Sequence, residues 1–200
     1  MSLRCLLLVP VIPFWGGCQA KADQPGPASP ALIELHDLQA GDKVVASVRP
    51  GRPCRATIGP TEMIVGGPPL ISQVGATRWS GRDGSNGTTL ERDGDRVARI
   101  FPIDGTTVGV FDLQGVPVIH VQPSAAGATV SDASMRALRT LTLDHTPAGG
   151  TTIVSDHPPF RVSGTSDLVL ASVLSAVELQ PEVRMLAACE RVLVTEKKEL

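Results

Sequence analysis

The chain has 200 residues, a mass of 20.9 kDa and a formal net charge of −2 at pH 7. This length suits one domain with a buried core, and the 42% hydrophobic content with near-balanced charge excludes a disordered chain and a strongly basic nucleic-acid-binding protein. The sequence contains 20 glycines and 17 prolines, which favour many short strands separated by turns.

The start of the chain has the features of an export signal. Arg4 gives a positive beginning, residues 5–15 form an apolar run, and Gly16 and Gly17 follow. The run is too short to span a bilayer, which takes ~20 helical residues, and two prolines interrupt it. Residues 1–17 are therefore predicted to be a signal peptide, and the protein is predicted to be exported.

The residues before Cys18 resemble the lipobox of bacterial lipoproteins, in which two small residues precede a cysteine. The resemblance implies that the Cys18 thiol receives diacylglycerol and that Cys18 becomes the first residue of the mature protein. Trp15 departs from the family pattern, which usually has an aliphatic residue there. Gln19 after the cysteine implies an outer-membrane lipoprotein facing the periplasm, in a bacterium with two membranes.

A second cleavage site competes with the lipobox. Residues 20–22 form an A-x-A pattern, and cleavage after it would release a soluble protein starting at Asp23. Residues 18–30 contain three prolines and no large apolar side chain, so they are predicted to be an extended tether. The tether carries a lipid if Cys18 is the mature N-terminus.

Two cysteines remain in the part of the chain that is predicted to fold. Cys54 and Cys189 have no second cysteine or histidine at ligand spacing, so no metal site is predicted. A disulfide between them is possible in an oxidising compartment, where closing so long a loop would stabilise the fold by ~4–5 kcal/mol. Two separate buried thiols are the alternative.

Residues 31–165 are predicted to form an antiparallel β-rich region, because short apolar or alternating runs are separated there by Gly, Pro, Asp and Asn. In residues 54–58 the alternation predicts one inward face. Pro117 lacks a backbone donor, so its strand is predicted to lie at a sheet edge or a bulge. The further strand candidates are residues 31–36, 43–48, 63–65, 70–74, 108–112, 116–121, 137–143 and 151–154.

The Asp-Gly dipeptide at 93–94 lies between two strand-like arms and predicts a β-hairpin with a two-residue turn. This register would set Leu90 opposite Val97 as an apolar pair. It would also set Glu91 opposite Arg96 as an ion pair.

The last part of the folded region changes to a helical period. Residues 168–179 are apolar on almost every side, which predicts a buried helix capped by one of residues 165–167. Pro181 suits the first turn of a second helix, so residues 166–194 are predicted to be a helical hairpin on the same core. Residues 195–200 are predicted to be a frayed tail. Because a buried helix needs a surrounding sheet, we expect an α+β, mainly β, fold in which a curled sheet or barrel is followed by two C-terminal helices.

Candidate catalytic groups are few. Asp144-His145 and Asp156-His157 are acid–imidazole pairs in a chain with several serines, which would suit an exported hydrolase. Adjacent residues of a strand point to opposite faces and no G-x-S-x-G turn is present, so no catalytic residue is predicted. No cofactor is predicted, and Trp79 is interpreted as a core residue rather than a ligand anchor.

These features together predict a bacterial cell-envelope lipoprotein of unspecified function, with a non-catalytic binding or structural domain. Its predicted partners are the membrane, through the lipid on Cys18, and an envelope protein or lipid, with no nucleic-acid partner. The alternatives are an exported hydrolase and a soluble periplasmic protein that binds a small molecule or a lipid.

Overall fold

The computed structural model describes residues 31–67, 69–84, 87–102, 108–112, 114–145 and 150–198. The predicted signal peptide, Cys18 and the tether lie outside these ranges.

The described chain consists of strands followed by two helices, which confirms the α+β, mainly β, fold class. Every strand is antiparallel to its neighbours. The elements are β1 (Ile33–Asp37), β2 (Lys43–Arg49), β3 (Cys54–Ile58), β4 (Thr61–Val65), β5 (Leu70–Val74), β6 (Thr77–Gly84), β7 (Gly87–Arg92), β8 (Asp95–Pro102), β9 (Val108–Phe111), β10 (Pro117–Pro123), β11 (Gly127–Ser131), β12 (Ala137–His145), β13 (Thr151–Asp156), β14 (Pro159–Ser163), α1 (Leu168–Leu174) and α2 (Pro181–Lys198).

The sheet is a nearly closed ring with one weak seam. Strands that follow each other in sequence are neighbours in the sheet, and β1 also pairs with β14, where Leu35 lies opposite Val162. The two edge strands of this order, β4 and β5, meet within the described residues at a single bridge, in which the Gly66 N–H donates to the Ile71 carbonyl at 2.8 Å. The sheet is therefore barrel-like, and the seam is its least hydrogen-bonded side.

The two helices fill the interior of the barrel-like sheet. All seven residues of α1 are buried, and residues 185–189 of α2 are each at most 2% exposed, so α2 is surrounded on every side over this stretch. α1 packs against β10 and β11, whereas α2 packs against β3 and β4 beside the seam. Buried side chains from all fourteen strands and both helices form one hydrophobic cluster.

A disulfide ties α2 to the sheet close to the seam. Cys54 of β3 and Cys189 of α2 are bonded and fully buried, with their Cα atoms 5.8 Å apart. Cys54 lies opposite Val65 in the β3–β4 ladder, next to the only bridge of the seam within the described chain. The bond closes a loop of 135 residues, which corresponds to ~5 kcal/mol in the chain-entropy model.

The helix boundaries differ from the prediction at both C-terminal ends. α1 is capped by Asp167 as predicted but ends at Leu174, five residues early, because the next N–H groups make tighter bonds, from Ala176 to the Val173 carbonyl and from Val177 to the Ser175 carbonyl. α2 continues to Lys198, four residues past the predicted end of the second helix at residue 194.

The hairpin around residues 93–94 is only partly as predicted. The turn is confirmed, and Glu91 lies opposite Arg96. A register shift after Leu90 makes this side chain pair with Ala98, one residue beyond the predicted partner. The bulge leaves Leu90 and Ala98 both buried, so packing in the core overrides the simple two-residue register.

Three strands, β6, β11 and β14, are not among those predicted from the sequence. β6 contains Trp79 as its single large apolar side chain, β11 is short and rich in small residues, and β14 begins at Pro159. Each of them is held in place by two neighbouring strands. Pro117 lies at a register shift inside the sheet, so the bulge alternative is correct and the edge alternative is wrong.

Candidate functional site

The two acid–imidazole pairs do not assemble a catalytic group. Residues 144–145 and 156–157 are exposed, and the second pair lines a cavity of about 350 Å³ over β12 and β13. Ser155 Oγ donates to the main-chain carbonyl of His157 at 3.5 Å and not to its ring. Among the hydrogen bonds of the described residues, no imidazole meets a serine hydroxyl. Trp79 is buried in the core, as interpreted from the sequence.

The described ranges contain no group of three or more His, Cys, Asp and Glu residues placed to hold a metal ion. Within the same ranges, the helices are all too short or too polar to cross a bilayer.

A cavity of about 550 Å³, here the outer groove, lies on the outside of β5, β6 and β7. Because Trp79 points into the core, its strand neighbours Arg78 and Ser80 point outward. The side chains that define the outer groove are Ile71, Arg78, Ser80, Arg82, Glu91 and Asp93.

The charges of the outer groove are balanced, with Arg82 solvated and Glu91 buried. Glu91 accepts from Ser80 Oγ at 3.3 Å and from Arg82 Nη2 at 3.5 Å, so its ion-pair partner is Arg82 and not the predicted Arg96. The Arg82 side chain is 74% exposed, and such pairs contribute little. The groove has two guanidinium groups and two carboxylates, with no surplus of either sign.

A smaller cavity of about 280 Å³, here the end cavity, opens at one end of the barrel-like sheet. It lies where β1 and β3 end, β2 and β14 begin, and the α1–α2 linker crosses the interior. Most of the surface is apolar, with the buried side chains of Leu35 and Phe160 at its floor and Val177, 69% exposed, at its rim. The other apolar side chains are Val45, Ile58, Pro158 and Pro159.

Arg184 is the buried cation of the end cavity. The residue is 8% exposed, and its Nε donates to the Leu174 carbonyl at 3.1 Å, with Nη2 on the same oxygen. Nη1 has no hydrogen-bond partner among the described residues. Arg184 thus satisfies a carbonyl at the C-terminal end of α1 and has one donor group left over.

A second buried arginine lies behind the first. Arg139, whose side chain is 1% exposed, donates from Nη1 to the Ser175 carbonyl at 2.5 Å and from Nη2 to the Glu178 carboxylate. Burial, together with the nearby Arg139 cation, lowers the pKa of Arg184 to about 10, against an opposing effect of the Glu178 carboxylate. Two guanidinium charges therefore face one carboxylate, which leaves surplus positive charge beneath the end cavity.

Neither arginine was singled out from the sequence, although one signal was present. The two-residue period of β12 puts Arg139 on the same face as the core residue Leu141, so it had to point inward. Arg184 gives no such signal, because an arginine in the first turns of a helix usually faces solvent. Its burial depends on the α1–α2 linker that folds over it.

No protein-family model, curated protein or solved structure matches the chain. The function is therefore inferred from these residues alone.

Proposed function

We propose that the chain is a lipid-anchored protein of the bacterial cell envelope and that its barrel-like domain is a non-catalytic binding module. Diacylated Cys18 would be the mature N-terminus, in the outer membrane and facing the periplasm. Residues 18–30 would separate the domain from the lipid surface. The charged start, the apolar run and the two glycines before Cys18 support this proposal.

The observation that carries the proposal is the disulfide between Cys54 and Cys189. Disulfides persist in oxidising compartments and are rare in the cytosol, where thiols are kept reduced. Of the four cysteines, Cys5 would leave with the signal peptide and Cys18 would carry the lipid. The bridge then uses the remaining two and leaves no free thiol in the mature protein.

Binding is favoured over catalysis by the chemistry of the end cavity. Ligand sites are typically concave and apolar with a few polar groups that fix the orientation of the ligand. The end cavity has apolar walls and Arg184 as a buried polar group. A guanidinium remains protonated at neutral pH, so it suits the recognition of an anion better than proton transfer.

Metabolic labelling tests the anchor. In a bacterium with two membranes, labelled palmitate should enter the wild-type chain and the Cys5→Ser variant, and should not enter Cys18→Ser. Mass spectrometry should find diacylated Cys18 as the N-terminus. An unlabelled chain that starts at Asp23 would support the soluble periplasmic alternative. A cytosolic chain that retains Met1 would show that export is wrong.

A further inference from the structure

The floor of the end cavity is a place where positive charge is not fully compensated. Arg139 and Arg184 donate to the Ser175 and Leu174 carbonyls at the C-terminal end of α1, and the nearby carboxylate, Glu178, pairs with Arg139. The carbonyls of Leu174 and Ser175 offset part of the charge but are uncharged. A buried cation without a full counter-charge is unfavourable, and a bound anion would relieve it.

The other charged group of the end cavity lies away from this floor. Asp37 Oδ1 accepts from the main-chain N–H groups of Gln39 and Ala40 at 2.8 and 3.1 Å, so its carboxylate is held by the turn after β1. Asp37 is half-buried and Gln39 is exposed. The sign of the charge therefore changes from negative near the rim to positive at Arg184.

We infer that the end cavity binds a medium-chain fatty acid, with the carboxylate on the free Nη1 edge of Arg184 and the acyl chain along the apolar walls toward Val177. This inference specifies the ligand of the binding module proposed above. The walls that would contact the acyl chain belong to Val45, Ile58, Pro159 and Phe160.

The size and the donors of the cavity select this class of anion. About 280 Å³ lies at the lower end of the ~300–1,000 Å³ of ligand pockets, which leaves room for one short chain and not for a diacyl phospholipid. A phosphate group needs several convergent donors. Among the described residues, Arg184 is the single cationic side chain that lines the cavity, and two of its five N–H groups are already used by the Leu174 carbonyl.

Calorimetric titration of the purified chain with decanoate and with 1-decanol tests the inference. The two probes share the same chain length and differ in the charge of the head group. Decanoate should bind at least tenfold more tightly than the alcohol. Between hexanoate and decanoate the affinity should rise by up to about fourfold per methylene, and dodecanoate should add less because the cavity is then full.

Variants locate the binding. Arg184→Gln should weaken decanoate binding at least tenfold and leave 1-decanol unchanged. The matched control Arg191→Gln lies on the same helix, where Arg191 pairs with Asp167 at 2.7 Å, and should bind decanoate as the wild type does. Val177→Asp changes an exposed rim residue and should weaken decanoate and 1-decanol alike several-fold, because a charged side chain replaces an apolar contact of the acyl chain.

Several results would overturn the inference. They are equal affinity for decanoate and 1-decanol, no binding of any fatty acid, or a folded Arg184→Gln variant that binds decanoate normally. If Arg184→Gln does not fold, the inference is tested by the difference in affinity between decanoate and 1-decanol for the wild type. The loss of decanoate affinity in Val177→Asp is the second test. Palmitate-labelled protein that does not bind decanoate would reject this inference alone, whereas a cytosolic chain that binds it would reject only the proposed location.

Discussion

The end cavity and the outer groove both bring arginines close to carboxylates, yet they differ in burial and in charge balance. In the outer groove, Arg82 is largely exposed and its charge is matched by Glu91. In the end cavity, Arg184 is buried, and the nearby Glu178 carboxylate pairs with Arg139 instead. The comparison shows that the solvation and the neighbours of a guanidinium, rather than its presence, determine whether it is available to bind an anion.

The largest expected effect concerns the covalent link that only the interior region has. The disulfide holds α2, which carries Arg184, against β3, whereas the outer groove has no such bond among the described residues. Replacing Cys54 and Cys189 together by alanine should lower the free energy of unfolding by ~5 kcal/mol. Urea denaturation measures the loss, and the reduced wild-type protein should match the variant. An unchanged urea midpoint would contradict this role of the bond.

The next effect should come from the buried pair beneath the end cavity. Arg139→Met keeps most of the side-chain volume but leaves Glu178 without its partner and the Ser175 carbonyl without its donor. Because Arg139 is buried and Glu178 is 28% exposed, removing Arg139 should cost ~2–3 kcal/mol. Chemical denaturation of the variant should show a loss of this size. A loss below ~1 kcal/mol would mean that the pair is effectively solvated.

The corresponding change in the outer groove should be much smaller. Arg82→Met removes the 3.5 Å contact to the buried Glu91, but Arg82 is 74% exposed and Ser80 Oγ still donates to Glu91, so we expect a loss of only ~0.2–1 kcal/mol. The same denaturation experiment should therefore barely separate this variant from the wild type. If Arg82→Met cost as much as Arg139→Met, the distinction between the two regions would be lost.

The smallest effect is expected at an exposed turn, and it depends on pH. The Arg136 N–H holds the pKa of Asp132 below its usual value against the opposing effect of burial, with help from the Ser134 N–H and the Arg136 side chain. A carboxyl with a lowered folded pKa stabilises the fold above its unfolded value near 4, and this is lost as the pH falls. Asp132→Asn should flatten the dependence of the urea midpoint on pH between 5 and 2. An unchanged slope would assign that dependence to other carboxyls.

The periodicity of the sequence was sufficient to predict the mainly β fold and the buried C-terminal helix. The apolar character of residues 168–174 on all sides requires a surrounding sheet, whatever the order of its strands. Polar strands such as β6 could not be recognised, because their pairing depends on neighbours that are already in place. The position of the seam depends on the pairing of β1 with β14, which makes β4 and β5 the edge strands. No local sequence pattern predicts this long-range pairing.

The candidate site was the least predictable feature. Arg139 could have been placed inside from its phase with Leu141, but the pairing with Glu178 needs a contact across 39 residues. Arg184 is buried because α1 ends at Leu174 and the linker then folds over it. The sequence does not predict this end, since its apolar run continues to residue 179. A charged residue inside a core can therefore be recognised only from the three-dimensional packing, since its residue type alone predicts a position on the solvated surface.

Carbon-13 NMR of carboxyl-labelled decanoate tests the central claim most directly, because it reports on the head group itself. At pH 7 the wild-type chain should give a separate bound carboxylate resonance, which Arg82→Met retains and Arg184→Gln loses. A spectrum with only the free resonance, or a bound resonance that survives in Arg184→Gln and disappears in Arg82→Met, would contradict the account.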